Sequence, residues 1–152
     1  MNGLLIGRFQ PFHKGHLSAI DFGLSRVEKL WIGIGSSNKS HEKRNPFTAD
    51  ERKEMILSSL DSEKLRRIEI YYIPDTGDHE KWTYHVDSIV PNYDVVFSNE
   101  DFTISLYKKR GKEVIEVPLL QREMISGTKI REMISLGKNW SDLVLKEQKK
   151  SF

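Results

Sequence analysis

Gly3-Leu4-Leu5-Ile6-Gly7-Arg8-Phe9-Gln10-Pro11-Phe12-His13-Lys14-Gly15-His16 passes from a strand, through a glycine and a proline, into the mouth of a helix. Residues 3–8 form a short apolar run, the pattern of a buried strand. From 15 to 25 the period lengthens, and Leu17, Ile20 and Leu24 share one helical face. Pro11 pins the intervening turn without needing an amide donor, and Gly7 at the strand end leaves room for a bulky ligand to approach the backbone.

The same alternation continues outward along the chain. Strands are expected at residues 29–35, 68–73, 94–98 and 112–117, with helices at 82–90 and 102–109. Thr48 and Glu51 have the spacing of a capping box, which starts a helix running to residue 60 after a loop at 36–47. Beyond Pro118, a helix to 136 follows Ser126-Gly127-Thr128, and a short one spans 140–147. Parallel strands need long crossovers, and these crossovers pack as helices. The expectation is therefore a Rossmann-like α/β fold, a doubly wound parallel sheet of five strands in one domain over residues 1–152. Ligands in such sheets sit outside the carboxyl ends of the strands, so chemistry belongs in the loops after Arg8, Gly35, Ile73, Ser98 and Val117.

Composition narrows the function. Cysteine is absent, which removes disulfides, thiolate metal sites and thiol nucleophiles. No run approaches the roughly 18 apolar residues of a membrane span, and the N-terminus shows no secretory pattern, so a cytoplasmic protein with no membrane partner is expected. The net charge of +2, from 24 basic and 22 acidic residues, is too small for an electrostatic nucleic-acid binder. Lys146, Lys149 and Lys150 read as a solvated helix end.

Familiar nucleotide motifs fail on inspection. Gly33-Ile34-Gly35 lacks the third glycine of a dinucleotide fingerprint, and neither Gly111-Lys112 nor Gly137-Lys138 is followed by the hydroxyl residue of a P-loop. His79-Glu80 has Thr83 where a zinc protease needs histidine. What remains is His13 and His16 at the mouth of the first helix, where free amides and the macrodipole already favour an anion. Two imidazoles there make a phosphate clamp. A zinc pair is the alternative, but the nearest carboxylate, Asp21, lies a full turn on. Ser126, Thr128 and Arg131 form a second candidate anion site at a helix start.

The two motifs, in this order, resemble the HxGH and SxTxxR signatures of the nucleotidylyltransferase superfamily. The resemblance is closer to the archaeal-type nicotinamide mononucleotide adenylyltransferases. It is carried by Gly3 to Arg8 with Gln10-Pro11-Phe12-His13, by Ile34-Gly35-Ser36 leading to Ser40-His41, by Arg44-Asn45-Pro46-Phe47-Thr48 with Glu51-Arg52, and by Ser126-Gly127-Thr128 with Arg131. These blocks are collinear over most of the chain, and the Arg-x-Pro-Phe-Thr block makes the combination specific.

The resemblance implies transfer of the adenylyl group of ATP to nicotinamide mononucleotide, giving NAD and pyrophosphate, with magnesium held mainly through the ATP phosphates and no protein metal site. By the same carry-over, His13, His16 and Arg131 are catalytic, while Gly7, Arg8, Phe9, Gln10, Gly15, Ser126, Gly127 and Thr128 bind ATP. Ser36, Arg44, Asp75 and Trp82 bind the mononucleotide. Trp82 stacks on the nicotinamide unless it is an ordinary core aromatic, and Arg44 meets the phosphate unless it is a solvated charge. A homo-oligomer is expected from the family. The phosphate motifs leave the acceptor open, so a sibling acting on flavin mononucleotide or phosphopantetheine, or using CTP, is the alternative within the class; a nucleotide sensor without turnover is the alternative outside it.

Overall fold

The computed structural model describes residues 1–43 and 45–118. In chain order the elements are β1 (Asn2–Gly7), α1 (Lys14–Leu24), β2 (Lys29–Gly35), α2 (Ala49–Ser58), α3 (Ser62–Arg66), β3 (Ile68–Ile73), α4 (Trp82–Asp87), β4 (Val95–Ser98), α5 (Asp101–Lys109) and β5 (Glu113–Glu116). The strands form one parallel sheet in the order β3-β2-β1-β4-β5. Gly3 pairs with Leu30 on one side and Val95 on the other.

Successive side chains on a strand point to opposite faces, and here both faces are apolar. Leu5, Ile32, Val95 and Phe97 pack with Ile20 and Leu24 of α1 and with Met55 and Ile56 of α2. Their neighbours Leu4, Trp31 and Val96 point the other way and pack with Val86, Val90 and Tyr107. Helices therefore cover both faces of a doubly wound α/β sheet, as the alternation predicts. No helix among the described residues is long and apolar enough to cross a membrane.

One helix ends early. The helix expected to reach residue 60 stops at Ser58, and α3 begins afresh at Ser62. The hydroxyls of Ser58 and Ser59 donate to the Met55 carbonyl at 3.2 and 2.6 Å, drawing that acceptor out of the helical ladder. Asp61 then caps the new helix, its carboxylate accepting from the Lys64 amide at 2.9 Å. Likewise α4 ends at Asp87 rather than 90, where Ser88 turns its hydroxyl onto the His85 carbonyl at 2.6 Å.

The strand order reverses between β1 and β4, since the chain lays β2 and β3 on one side of β1 and returns to lay β4 and β5 on the other. A crevice opens at such a reversal, outside the carboxyl ends of the strands. That places the ends of β1, β2, β3 and β4, at Gly7, Gly35, Ile73 and Ser98, around one opening.

Candidate active site

The turn leaving β1 is held by aromatic packing and a helix cap. Phe9 has φ 52, the left-handed region that aromatic residues seldom adopt, and its ring is buried. A Cβ on Gly7 would lie 2.9 Å from that ring. The bare backbone at Gly7 thus accommodates the Phe9 ring. Gly7 does also reach the wall of the cleft described below.

His13 is the N-cap of α1, and its Nδ1 accepts the Gly15 amide at 3.1 Å. His16 reaches back so that its Nδ1 accepts the His13 amide at 3.1 Å, closing a reciprocal capping box built from two imidazoles. The rings stack with centroids 3.7 Å apart and planes 22° from parallel. Phe12 lies nearly parallel to His16 at 5.6 Å, and Phe9 meets it edge-on at 4.8 Å. Because each Nδ1 accepts, the proton of each neutral ring sits on Nε2, and the pair presents N–H donors rather than lone pairs. The first turn of α1 carries no acidic side chain to compete with an anion. Capping and anion binding are therefore compatible in one pair of residues.

Beside this turn a cleft of about 750 Å³ lies at the strand ends, walled by Gly7, Gly35, Ser36, Asp75, Trp82 and Glu100 among others. Ser36 has φ 50 and donates its hydroxyl to Asp75 Oδ1 at 3.0 Å. The Asp75 amide in turn donates to Asn38 Oδ1 at 3.0 Å. These bonds clasp the loop after β2 to the loop after β3. Trp82 opens α4 half-buried, with one edge against Tyr107 at 6.4 Å and another part in the cleft wall. Trp82 thus packs partly against the core and partly faces the cleft.

The other expected contacts divide. Arg8 extends to Asn45, its Nη1 lying 3.4 Å from Oδ1. Gln10 is 1% exposed, and its amide is matched to the Phe47 backbone in both directions, donating to the carbonyl at 3.0 Å and accepting from the amide at 2.9 Å. Its side chain latches two loops together. Gly15 contributes its amide to the cap. Arg44, Ser126, Gly127, Thr128 and Arg131 lie outside the described residues, as do the helices expected up to 136 and at 140–147. Thr48 and Glu51 form the capping box their spacing predicts, at 3.0 and 2.9 Å. His41 and His79 are exposed, and His85 is half-buried on α4 with its Nε2 unpaired.

Arg52 of α2, which the sequence marks only as part of the Glu51-Arg52 block and without a role, is 0% exposed. Its guanidinium is pushed down to about 10, first by burial and then by the nearby charge of Arg8, and it remains a cation at neutral pH. Among the described residues no carboxylate lies within ion-pair distance of it. No three His, Asp or Glu side chains among the described residues converge as a metal site.

The cytidylyltransferase-like family matches the chain over residues 4–133. The chain is 40% identical over 147 residues to the nicotinamide-nucleotide adenylyltransferase of Pyrococcus furiosus, covering 95% of this chain and 78% of that protein. To the enzyme of the same name from Saccharolobus solfataricus it is 44% identical over 146 residues, covering 95% and 85%. Among solved structures, a bifunctional NMN adenylyltransferase/ADP ribose pyrophosphatase from Francisella tularensis, complexed with AMP and Mn ion, aligns with a TM-score of 0.70 at 24% identity. That alignment covers 96% of this chain and 43% of the larger protein, and it bears on the fold.

Proposed function

Because the chain belongs to the cytidylyltransferase-like family, among its nicotinamide-nucleotide adenylyltransferases, we propose that it transfers the adenylyl group of ATP to the phosphate of nicotinamide mononucleotide, giving NAD and pyrophosphate. A bond forms between an acceptor phosphate oxygen and the α-phosphorus, and the bond from that phosphorus to the bridging oxygen breaks. The acceptor phosphate is already anionic at neutral pH, so no general base or covalent nucleophile is needed, and catalysis rests on in-line positioning and charge stabilisation.

The observation that carries this reading is the stacked histidine pair at the start of α1, the helix that follows the strand whose end, at Gly7, lines a cleft at the sheet's switch point. His13 and His16 donate from Nε2 to the ATP phosphates, aided by the charge of Arg8. Arg131 adds charge, and Gly127 with the hydroxyls of Ser126 and Thr128 anchors the triphosphate. On the acceptor side, Ser36 and Asp75 hold the ribose or amide, Trp82 stacks on the nicotinamide ring and Arg44 meets the phosphate. A divalent ion, magnesium in this reading, would be carried mainly by the triphosphate and water and would neutralise charge on the departing pyrophosphate. The family also leads us to propose a homo-oligomer.

The test is pyrophosphate release with ATP and magnesium across nicotinamide mononucleotide, flavin mononucleotide and phosphopantetheine. Nicotinamide mononucleotide should give the highest kcat/KM. A higher value for flavin mononucleotide would overturn the acceptor assignment, and ATP binding without pyrophosphate release from any acceptor would mark a sensor instead.

A further inference from the structure

An arginine side chain carries five N–H donors, and at Arg52 all five meet main-chain carbonyls. Nε donates to Thr48 at 3.1 Å, Nη1 to Arg8 at 2.9 Å and to Gly35 at 2.8 Å, and Nη2 to Ser36 at 3.0 Å and to Lys39 at 3.2 Å. Thr48 is its own helix cap. The other four acceptors belong to two separate loops: Arg8 opens the turn after β1, and Gly35, Ser36 and Lys39 lie at the end of β2 and in the loop that follows.

We infer that Arg52 is a positioning residue that locks the ATP half-site to the acceptor half-site, so that each substrate organises the loop that receives the other. The inference rests on the adenylyl-transfer reading above. Phe9 and Ser36, which take left-handed backbone at φ 52 and 50, stand immediately beside or on bonded carbonyls, and such conformations persist only where surrounding bonds over-determine them. Ser36 passes the constraint on to Asp75 through its hydroxyl. A guanidinium is the one side chain whose planar fork serves carbonyls on two loops at once. A lysine in the same place keeps the charge but has three donors, and cannot bridge all five acceptors. In-line displacement is sensitive to this bridge, because a displacement of about 1 Å between reacting groups lowers the rate about 100-fold.

The experiment uses the full chain and its Arg52→Lys variant at a temperature where both are folded. Steady-state kinetics give kcat and both KM values. The affinity for nicotinamide mononucleotide is also measured with and without a non-hydrolysable ATP analogue. The expected result is a fall in kcat of about 100-fold, with each substrate's separate affinity nearly unchanged and the mutual enhancement of binding lost. A variant that melts lower but keeps its kcat per folded molecule and its binding enhancement would overturn the inference, leaving Arg52 purely structural. Hydrogen exchange on the wild-type chain gives a second readout that needs no variant. Mononucleotide alone should slow amide exchange in residues 8–13, and the ATP analogue alone should slow it in residues 36–39; absence of both cross effects would overturn the coupling. Wild-type pyrophosphate release in the same series separates the two readings. If it is present and the variant matches it, only the coupling fails; if it is absent, both fail.

Discussion

The imidazoles of His13 and His16 stack 3.7 Å apart, and each turns Nδ1 to a main-chain N–H of the same helical turn. One pair of side chains thus satisfies two orphan amides at the start of α1, and in the proposed reaction the Nε2 ends of the same rings are the groups that meet phosphate.

Replacing His16 should therefore have two separable effects. His16→Ala is expected to lower kcat about 10²-fold to 10³-fold, as for loss of a preorganised donor. Loss of the cap should also cost about 1 kcal/mol and lower the melting temperature by a few degrees. His16→Asn keeps an acceptor for the His13 amide, and should recover the melting temperature without recovering kcat. Full turnover in the alanine variant would remove His16 from the chemistry.

Trp82 sits between the Tyr107 ring and the cleft, so its truncation should register in both binding and stability. Stacking of this kind is worth roughly 0.5–1.5 kcal/mol beyond burial, and each 1.4 kcal/mol is tenfold in affinity. Trp82→Ala should raise KM for the mononucleotide about tenfold while KM for ATP and kcat hold. Trp82→Phe, which keeps an edge against Tyr107, should recover most of the thermal stability. A large drop in melting temperature with both KM values unchanged would reject the stacking role.

The described cleft lining contains the carboxylates of Asp75, Asp78 and Glu100 and one ammonium, Lys39. An acceptor with a carboxylate in place of the amide meets like charge there. Like charges a few ångströms apart repel by on the order of 1 kcal/mol even in water. Nicotinic acid mononucleotide should accordingly show a kcat/KM about fivefold below that of the amide, and Asp75→Asn should narrow the gap. Equal efficiency for the two acceptors in the wild type would show that this lining does not face the pyridine substituent.

Tyr93 predicts the alkaline edge of stability. Its hydroxyl donates to Asp87 at 2.5 Å, and burial together with that carboxylate pushes it from 10.0 up to about 12. Between these values the unfolded chain gives up a proton that the folded chain keeps, so stability present below pH 10 is lost as pH rises toward 12. Urea unfolding across that range should fall less steeply for Tyr93→Phe. The slope should not vanish, because Tyr72, bonded to Asp50, is also raised to about 12. An unchanged slope in the variant would exclude Tyr93 as a source.

What the sequence determined by itself is local. The bounds of β2 and β3 fall where the apolar runs place them, and the Thr48 and Glu51 box forms at its expected start, because strand period and cap spacing act over a few residues. The helix-mouth position of His13 and His16 is legible for the same reason. Tertiary structure decided the rest. Ser36 and Asp75 meet across 39 positions, and Arg52 reaches Arg8 across 44, only after the strand order has set their loops side by side. Gly7 is small because Phe9 folds back over it. The role of Arg52 was not legible in the sequence, where it stands only within the Glu51-Arg52 block, because its partners are carbonyls, which every residue carries, so no pattern of side chains marks where five of them will converge on a buried charge.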